Sequence, residues 1–414
     1  MTPQAGKAQA LGDSVGANGR AMAGGRGRAP RKGALAAPPE IRFCRSMTGP
    51  RFTPLVDSLP ATVPFVGPET QERARGRPFV ARLGANENVF GPSPRAIAAM
   101  QAAAADAWMY GDPENHDLKR ALAAHHGVAP QNIVVGEGID GLLGYLVRLT
   151  VGPGDAVVTS DGAYPTFNFH VAGFGGALHR VPYRGDAEDP QALLARAAEV
   201  GAKLIYFANP DNPMGSAHPA ATVAAMVEAV PDGSLLVLDE AYVDLAPDGT
   251  APEIAADDPR VIRMRTFSKG YGLAGARVGY AIGAAPLIAA FDKIRNHFGM
   301  SRVSQAAALA ALADQPYLSE VKARVARARD RLAAISRANG LVPLPSATNF
   351  VTIDCGADGA FARRVLQGLI ARDIFVRMPF VAPQDRCIRV SCGPDAMLDA
   401  FAAALPAALA EARG

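Results

Sequence analysis

The chain has 414 residues, of which 49% are hydrophobic and 20% are charged, and its formal net charge is +3. This composition is typical of a folded globular protein and excludes collagen, coiled-coil and wholly disordered chains. The sequence contains no apolar run of the ~18 residues that a membrane helix needs, so we expect no membrane association.

The positive charge is concentrated in residues 1–46, which carry eight Lys or Arg and two Asp or Glu. That segment therefore has a charge of +6, and the remainder of the chain has a charge of −3. A negative folded body does not indicate a nucleic-acid partner. The segment is rich in Gly, Ala, Arg and Pro, so we predict a disordered basic tail. A targeting or anion-binding arm is the alternative, and Met47 is a candidate initiator.

The cysteines and histidines show no pattern of a metal site. Cys44, Cys355, Cys387 and Cys392 have no Cys-x-x-Cys spacing, which favours a reducing, cytoplasmic location over a disulfide framework. The seven histidines have no metal-ligand spacing, so we expect no metal and structural or exposed positions for all of them.

Short apolar runs alternate with amphipathic helical patterns from about Phe79 onward. We predict strands at Asn132–Gly136, Asp155–Ser160, Ala177–Pro182, Lys203–Ala208, Leu235–Asp239, Val261–Thr266 and Val278–Ile282. Helical patterns of roughly 10–15 residues separate most of them, which is the length of crossover helices. One pattern begins at Asp189-Pro190, a helix cap followed by proline at the first helical position. The alternation predicts an α/β fold with a mainly parallel sheet between helices.

Strands become sparser after residue 340. We predict strands at Phe350–Ile353, Ile374–Val376 and Ile388–Ser391 and helices over 358–372 and 394–412, which together are typical of a smaller α+β domain. A long helical region, 285–339, joins the two parts. The predicted organisation is a large domain over 96–295, a small C-terminal domain over 296–414, and an N-terminal arm over 47–95 that joins the small domain.

A lysine stands directly after a predicted strand in the segment Thr266-Phe267-Ser268-Lys269-Gly270, and Arg277 follows eight residues later. Strand ends in open α/β sheets face the ligand crevice. The two hydroxyls, the backbone N–H groups and the arginine suit a phosphate. An amine beside a phosphate site is what a Schiff-base cofactor such as pyridoxal phosphate requires. Taken alone, Lys269 would be interpreted as a surface lysine.

Three further segments favour the cofactor interpretation. Asp239 ends an apolar strand and is able to pair with a pyridinium nitrogen, although a capping or metal-binding role is the alternative. Tyr242, and Asn212 between two prolines, are candidates to bind the oxygen on the cofactor ring. Gly136-Glu137-Gly138 leads from a strand into a helix whose first N–H groups are able to close on a phosphate.

In their order and spacing these segments resemble fold-type-I pyridoxal-phosphate aminotransferases of classes I and II, and within them the histidinol-phosphate aminotransferase branch. The resemblance covers about residues 80–410. The matching stretches are Asn86-Glu87-Asn88, Gly91-Pro92-Ser93-Pro94, Tyr110-Gly111-Asp112-Pro113, Asn209 to Gly215, Asp239-Glu240-Ala241-Tyr242, Arg265 to Tyr280, Ser346 to Phe350, Val376-Arg377 and Ile388-Arg389.

The resemblance implies a role for each matching residue. Lys269 would join the cofactor as a Schiff base and move the substrate proton, Asp239 would pair with the ring nitrogen, and Tyr242 with Asn212 would bind the ring oxygen. The residues implied to hold the cofactor phosphate are Thr266, Ser268, Arg277 and the backbone of Ile139 and Asp140. Phe167 would stack on the ring, with Tyr164 as a second candidate. Tyr110 would reach the phosphate of a neighbouring subunit, which implies a homodimer with shared active sites.

The substrate residues are less clearly defined. The resemblance implies that Arg389 binds the α-carboxylate of amino and 2-oxo acids and that Arg377 helps to hold a substrate anion; Asn88 is a further candidate. Val89 after Asn88, the stretch 295–302 and the apolar Met378-Pro379-Phe380 depart from the branch. We therefore predict transfer of an amino group from a donor such as histidinol phosphate to 2-oxoglutarate, with aromatic or other amino-acid transamination and a threonine-phosphate decarboxylase-like lyase as alternatives.

Overall fold

A computed structural model describes residues 49–61 and 66–414 of the chain. The predicted tail, residues 1–46, lies outside the described residues. The strands are β1 Ala81–Arg82, β2 Ile133–Gly136, β3 Ala156–Ser160, β4 Ala177–Val181, β5 Leu204–Ala208, β6 Leu235–Asp239, β7 Val261–Thr266, β8 Gly279–Ile282, β9 Val342–Pro343, β10 Phe350–Asp354, β11 Ile374–Phe375 and β12 Cys387–Ser391.

The α-helices are α1 Pro54–Ser58, α2 Pro68–Arg75, α3 Pro94–Ala104, α4 His116–His126, α5 Gly138–Thr150, α6 Pro165–Gly173, α7 Pro190–Val200, α8 Ala220–Glu228, α9 Ala285–Ala290, α10 Arg302–Leu312, α11 Gln315–Ala338, α12 Gly359–Ala371 and α13 Asp395–Arg413. Helix α7 begins as predicted, because the Asp189 carboxylate accepts hydrogen bonds from the N–H groups of Gln191 and Ala192.

A seven-stranded sheet with the order β2-β8-β7-β6-β5-β3-β4 forms the main layer. Only β8 runs antiparallel to its neighbours β2 and β7, and the other pairs are parallel. The predicted α/β class with a mainly parallel sheet is therefore confirmed. Because parallel strands are joined by crossover helices, the sheet is covered on both faces.

Strand β5 shows how the two faces are filled. Leu204 and Tyr206 pack into the cluster that contains residues of α5 and α6, whereas Ile205 and Phe207 pack into the cluster that contains residues of α7 and α8. All four are fully buried, as expected for a central parallel strand, whose successive side chains point to opposite faces. The same alternation in β6 and β7 decides which residues reach the functional site.

The C-terminal part contains the antiparallel sheet β12-β10-β9, packed against α11, α12 and α13. Its core includes Val351, Ile353, Leu369 and Ile388. Strand β1, from the N-terminal side, pairs in parallel with β11, with Ala81 opposite Ile374. The predicted domain boundaries at residues 95 and 295 stay predictions.

Strands β1 and β9 were not predicted, because two residues are too few to show an alternating pattern. Among the helices of residues 49–61 and 66–414, none combines the length and apolar character needed to cross a bilayer.

Candidate active site

A cavity of about 540 Å³ opens at the carboxyl edge of the seven-stranded sheet, where β5, β6 and β7 end. Ala208, Asp239 and Thr266, the last residues of these strands, all line it. The first turn of α5 forms another part of the wall, and Arg377 and Arg389 from the C-terminal part complete it. This is the position at which open parallel sheets bind ligands.

Lys269 follows β7 and lines the cavity. Its Nζ donates a hydrogen bond to the Asn86 carbonyl oxygen at 3.0 Å and lies 5.5 Å from the centre of the Tyr242 ring. Burial, together with the positive charge of Arg389, lowers the pKa of Lys269 to about 8. About a tenth of this amine is therefore neutral, and nucleophilic, at pH 7, far more than for an ordinary lysine.

Asp239 ends β6 and is 5% exposed. Its Oδ2 accepts a hydrogen bond from the Tyr206 hydroxyl at 2.5 Å, and its Oδ1 accepts one from the Ala241 N–H at 2.9 Å. Burial raises the pKa of Asp239 to about 6, although both hydrogen bonds favour the ionised form. A buried carboxylate held by two donors is a suitable partner for a cationic ring nitrogen.

Tyr242 and Asn212 also line the cavity. The Tyr242 hydroxyl accepts a hydrogen bond from Asn86 Nδ2 at 3.1 Å, and burial raises the pKa of this hydroxyl. Asn212 Oδ1 accepts a hydrogen bond from Arg389 Nη1 at 2.5 Å. Asn212 thus contacts the arginine that was predicted to bind the substrate carboxylate.

The predicted phosphate residues meet at one end of the cavity. Arg277 Nη1 donates to Ser268 Oγ at 3.3 Å, and Thr266 Oγ1 donates to the same oxygen at 2.9 Å. Ile139 and Asp140 lie in the first turn of α5, and no side chain caps this helix end. Because the first N–H groups of a helix lack intrahelical partners, this arrangement is suited to binding an anion.

The prediction for Phe167 requires correction. Phe167 is fully buried and does not line the cavity; its ring stacks on the ring of Tyr206 with centroids 4.6 Å apart. Tyr164, the second candidate, lines the cavity and donates its hydroxyl hydrogen bond to Asp140 Oδ1 at 2.9 Å. Phe167 therefore supports Tyr206, the residue that holds Asp239, from behind.

Two other predicted residues do not line the cavity of this chain. The Asn88 side chain makes two hydrogen bonds to the main chain. Nδ2 donates to the Gly270 carbonyl oxygen at 3.1 Å, and Oδ1 accepts from the Phe90 N–H at 3.2 Å. The substrate role of Asn88 stays a prediction. Tyr110 is 75% exposed and packs on Phe298 with ring centroids 4.7 Å apart. Its predicted contact with a second subunit stays a prediction.

Arg377 and Arg389 are neighbours in the structure. The Arg389 N–H donates to the Arg377 carbonyl oxygen at 2.6 Å, and the Arg377 N–H donates to the Arg389 carbonyl oxygen at 3.2 Å. Arg389 Nε is buried and has no hydrogen-bond partner among the described residues. Arg377 Nη2 donates to the Val66 carbonyl oxygen at 2.9 Å.

Sequence reasoning missed three residues of this site. Asn86 binds both Lys269 and Tyr242, yet Asn88 was chosen from the same motif. Tyr206 donates a hydrogen bond to Asp239. Ala208 pairs with Asp239 in the adjacent strand, and Tyr206, two residues before Ala208, lies on the same face of the sheet as Asp239. This alternation would have indicated the contact. His170 lines the cavity, and its buried Nε2 has no hydrogen-bond partner among the described residues. No sequence signal distinguished it from the other histidines.

A mostly parallel sheet with a partly buried lysine after one strand, and a buried carboxylate at the end of the neighbouring strand, is typical of pyridoxal-phosphate-dependent enzymes of fold type I. Similarity to known proteins identifies the family within this class. The family described as "Aminotransferase class I and II" matches residues 80–405. The chain belongs to this family and is a pyridoxal-phosphate-dependent aminotransferase.

Relatives within the family have a consistent name. The chain is 38% identical to a histidinol-phosphate aminotransferase of Anaeromyxobacter sp. over 78% of this chain and 91% of that protein. It is 33% identical to one from Moorella thermoacetica, over 88% of this chain and 94% of that protein. A crystal structure of histidinol-phosphate aminotransferase from Sinorhizobium meliloti, in complex with pyridoxal 5′-phosphate, is 56% identical and has a TM-score of 0.85, covering 88% of this chain and 99% of that chain.

The residues of the cavity fit this cofactor. Gly138 begins α5 at φ +77°, which strains other residues, and a Cβ added there would overlap Arg277 Nη2, so an alanine would crowd the anion site. Gly279 has the same effect from β8, because its Cβ would lie 2.6 Å from the Gly138 carbonyl carbon. The cavity thus offers an anion site at one end, a buried carboxylate at its floor and an amine between them. Among the described residues no group of three or more His, Cys, Asp or Glu could hold a metal ion.

Proposed function

We propose that this enzyme transfers the amino group of histidinol phosphate to 2-oxoglutarate. The observation that carries the proposal is the pair of guanidinium groups at the cavity, Arg377 and Arg389, joined through their main chains. The names of the relatives support the same substrate. An arginine pair suits a dianionic phosphate in one half-reaction and carboxylates in the other.

The cofactor is proposed to lie with its phosphate at the α5 end of the cavity. Thr266, Ser268, Arg277 and the N–H groups of Ile139 and Asp140 would bind the phosphate. Asp239 would face the ring nitrogen, Tyr242 and Asn212 the ring oxygen, and Tyr164 one ring face. When bound, pyridoxal phosphate supplies an electron sink that makes the proton on the substrate Cα removable.

Lys269 is proposed to carry that proton. Its amine titrates near neutral pH, so it is able to accept a proton at Nζ and to return it at another atom. The Asn86 carbonyl oxygen, 3.0 Å from Nζ, orients the amine. Asp239, which Tyr206 fixes at 2.5 Å, would keep a negative charge beside the ring nitrogen throughout.

Arg389 is proposed to bind the carboxylate of 2-oxoglutarate and glutamate. Its Nη1 is held by Asn212, and its buried Nε has no partner among the described residues, so a donor remains for a ligand. Burial lowers the pKa of Arg389 to about 10, which still leaves it charged at neutral pH. Leaving such a donor unpaired is costly, and a carboxylate would relieve that cost.

A second substrate class has its own supporting observation. Met378, Pro379, Phe380 and Phe169 line the cavity, and Phe169 and Phe380 are 49% and 70% exposed. An apolar rim of this kind suits an aromatic amino acid as the donor. A threonine-phosphate decarboxylase-like lyase would use the same cofactor residues and is distinguished by its product, carbon dioxide in place of a 2-oxo compound.

The test compares donors on the wild-type enzyme and on Arg377→Ala. With 2-oxoglutarate as acceptor, we expect glutamate to form from histidinol phosphate, and Arg377→Ala to raise KM for histidinol phosphate far more than KM for phenylalanine. Arg95→Ala, at a side chain 70% exposed, is the matched surface control. No glutamate from histidinol phosphate, or equal effects of Arg377→Ala on both donors, would assign the enzyme to general amino-acid transamination.

We further propose that the enzyme is a cytoplasmic homodimer with shared active sites. Cys355, Cys387 and Cys392 are free and buried, which agrees with a reducing compartment. Trp108, Tyr110 and Phe298 are 81%, 75% and 52% exposed, and large exposed aromatic side chains of this kind suit a subunit interface.

A further inference from the structure

A second cavity, of about 410 Å³, lies on the face of the sheet opposite Asp239. Val237 and Met264 point to the same face as Asp239, and strand alternation places Arg263 and Arg265 on the other face. Glu240 follows Asp239 and also points to that other face, where it accepts hydrogen bonds from Arg263 at 2.9 Å and Arg265 at 2.7 Å.

The wall of this second cavity holds a guanidinium group with unused donors. The Arg265 side chain is nine-tenths buried, and among the described residues its only hydrogen bond is from Nε to Glu240. Arg265 Nη1 lies 3.9 Å from Asp244 Oδ1, which is beyond hydrogen-bond distance. Arg265 lines the second cavity, where an anionic group of a ligand would meet its unused donors.

A buried carboxylate lies beside the guanidinium. The Asp244 side chain is 14% exposed and makes no hydrogen bond to any described residue. Burial raises the pKa of Asp244, and Arg265 partly opposes that effect. At the rim, Lys322 Nζ is 3.8 Å from Asp248 Oδ1, so these charges are also separated by more than a hydrogen bond.

We propose that this second cavity binds a small zwitterion of the α-amino acid class. Arg265, assisted by Lys322, would bind the carboxylate, and Asp244 would bind the ammonium group. The charged side chains that line the cavity balance, since Arg265 and Lys322 oppose Asp244 and Asp248. A lone anion would disturb that balance, whereas a zwitterion preserves it.

The apolar part of the cavity limits the side chain of the ligand. Val243, Tyr271 and Leu318 line it, and these residues suit a short aliphatic group. The site also touches the segment that carries the catalytic lysine, because a Cβ added at Gly270 would lie 3.1 Å from both Asp244 Cβ and Leu318 Cδ1. A ligand in contact with Asp244 is therefore connected to Lys269 through Gly270, the residue that follows the lysine in the sequence.

The test uses α-aminoisobutyrate as the probe, because it is a zwitterion without a Cα proton and cannot be transaminated. Binding to the holoenzyme after borohydride reduction is measured by equilibrium dialysis with labelled probe, so that the first cavity is chemically inactive. Ser319→Trp fills the second cavity from an exposed position on α11, and Asp244→Asn removes the ammonium partner with the same side-chain shape. Glu320→Trp, at the next exposed position, is the matched control.

We expect one bound probe per chain, a Kd at least tenfold weaker in Ser319→Trp and in Asp244→Asn, and no change in Glu320→Trp. Thermal unfolding of each variant checks that it is folded. Absence of binding to the reduced holoenzyme, or binding that both variants leave unchanged, would overturn the proposal. Equal binding of acetate, which lacks the ammonium group, would also overturn it by reducing the site to an anion site.

Discussion

Burial shifts the pKa values of the two titratable residues at the centre of the site, Lys269 and Asp239, in opposite directions. Burial lowers the pKa of Lys269 to about 8 and raises the pKa of Asp239 to about 6. Burial disfavours the charged form of each group, and therefore brings both pKa values closer to 7. The hydrogen bonds from Tyr206 and Ala241 keep Asp239 ionised at pH 7.

Asp239→Asn removes the negative charge from the floor of the cavity and keeps the shape of the side chain. Losing one preorganised electrostatic partner typically costs ~10²–10³ in rate. We expect a fall of that size in kcat, measured in single-donor transamination, with little change in thermal stability. A decrease of less than about threefold would mean that Asp239 only ends its strand.

The cofactor-free protein should show the shifted pKa of Lys269 directly. The amine reacts only when deprotonated, so its rate of modification by trinitrobenzenesulfonate should rise with pH and reach half its maximum near pH 8. Lys269→Ala provides the background from the other lysines. Arg389→Gln removes a positive charge that lowers this pKa, so the midpoint should move to higher pH, whereas the exposed control Arg95→Gln should leave it in place. An unmoved midpoint in Arg389→Gln would contradict the account of the shift.

The sequence predicts which residues reach the site where their spacing from a strand end fixes their position. It does not predict this where the orientation of a helix decides which side chain faces the cavity. Lys269, Asp239 and Arg277 stand at strand ends or in a defined turn, so their positions followed from the sequence. Phe167 and Tyr164 lie at the beginning of the same helix, and only the helix orientation decides which ring meets the cavity.

At the scale of elements, the sequence predicted the sheet well because its long strands are rich in apolar residues, most clearly in β2 and β5. Strands β6 and β7 have the predicted bounds, Leu235–Asp239 and Val261–Thr266. The order of the strands, and the antiparallel direction of β8, depend on long-range pairing that no local pattern records. The second cavity escaped prediction for the same reason, since its wall comes from segments distant in the chain.

The beginning of α5 is the element on which cofactor affinity depends most. Gly138→Ala places a methyl group against the Arg277 guanidinium at the anion site. We expect the Kd for pyridoxal phosphate, measured by absorbance titration of the cofactor-free protein, to rise at least tenfold, equivalent to about 1.4 kcal/mol.

Gly154→Ala is the matched control, because Gly154 also has a positive φ, +85°, but its added Cβ meets nothing within 4 Å. It should destabilise the fold by roughly 1–2 kcal/mol through the backbone alone and leave the Kd unchanged. Equal Kd values for the two variants would show that the anion site does not lie at this helix end.

At the scale of the whole molecule, the cavity lies between the carboxyl edge of the large sheet and the C-terminal part. Arg386 bridges Asp354 of the C-terminal sheet, at 2.7 Å, and Asp186 in the loop after β4, at 2.9 Å. Gln384 Nε2 donates to the Gly185 carbonyl oxygen of the same loop at 2.9 Å. These contacts hold the two parts around the site.

The shared-site homodimer predicts that two inactive variants complement each other. Tyr110→Ala should weaken the site of the neighbouring subunit, and Lys269→Ala should inactivate its own. When the two are unfolded together and refolded at equal amounts, half of the dimers are mixed and each contains one intact site. We therefore expect activity of about a quarter of the wild-type value. Activity no greater than the mean of the two separate variants would contradict a shared site.

The most direct test of the whole account is the position of the cofactor on the chain. Purified holoenzyme is reduced with borohydride, digested and mapped by mass spectrometry. The account predicts one pyridoxyl phosphate group per chain, attached to Lys269, and none in Lys269→Ala. A group attached to another lysine, or no attached group in the wild-type protein, would contradict it.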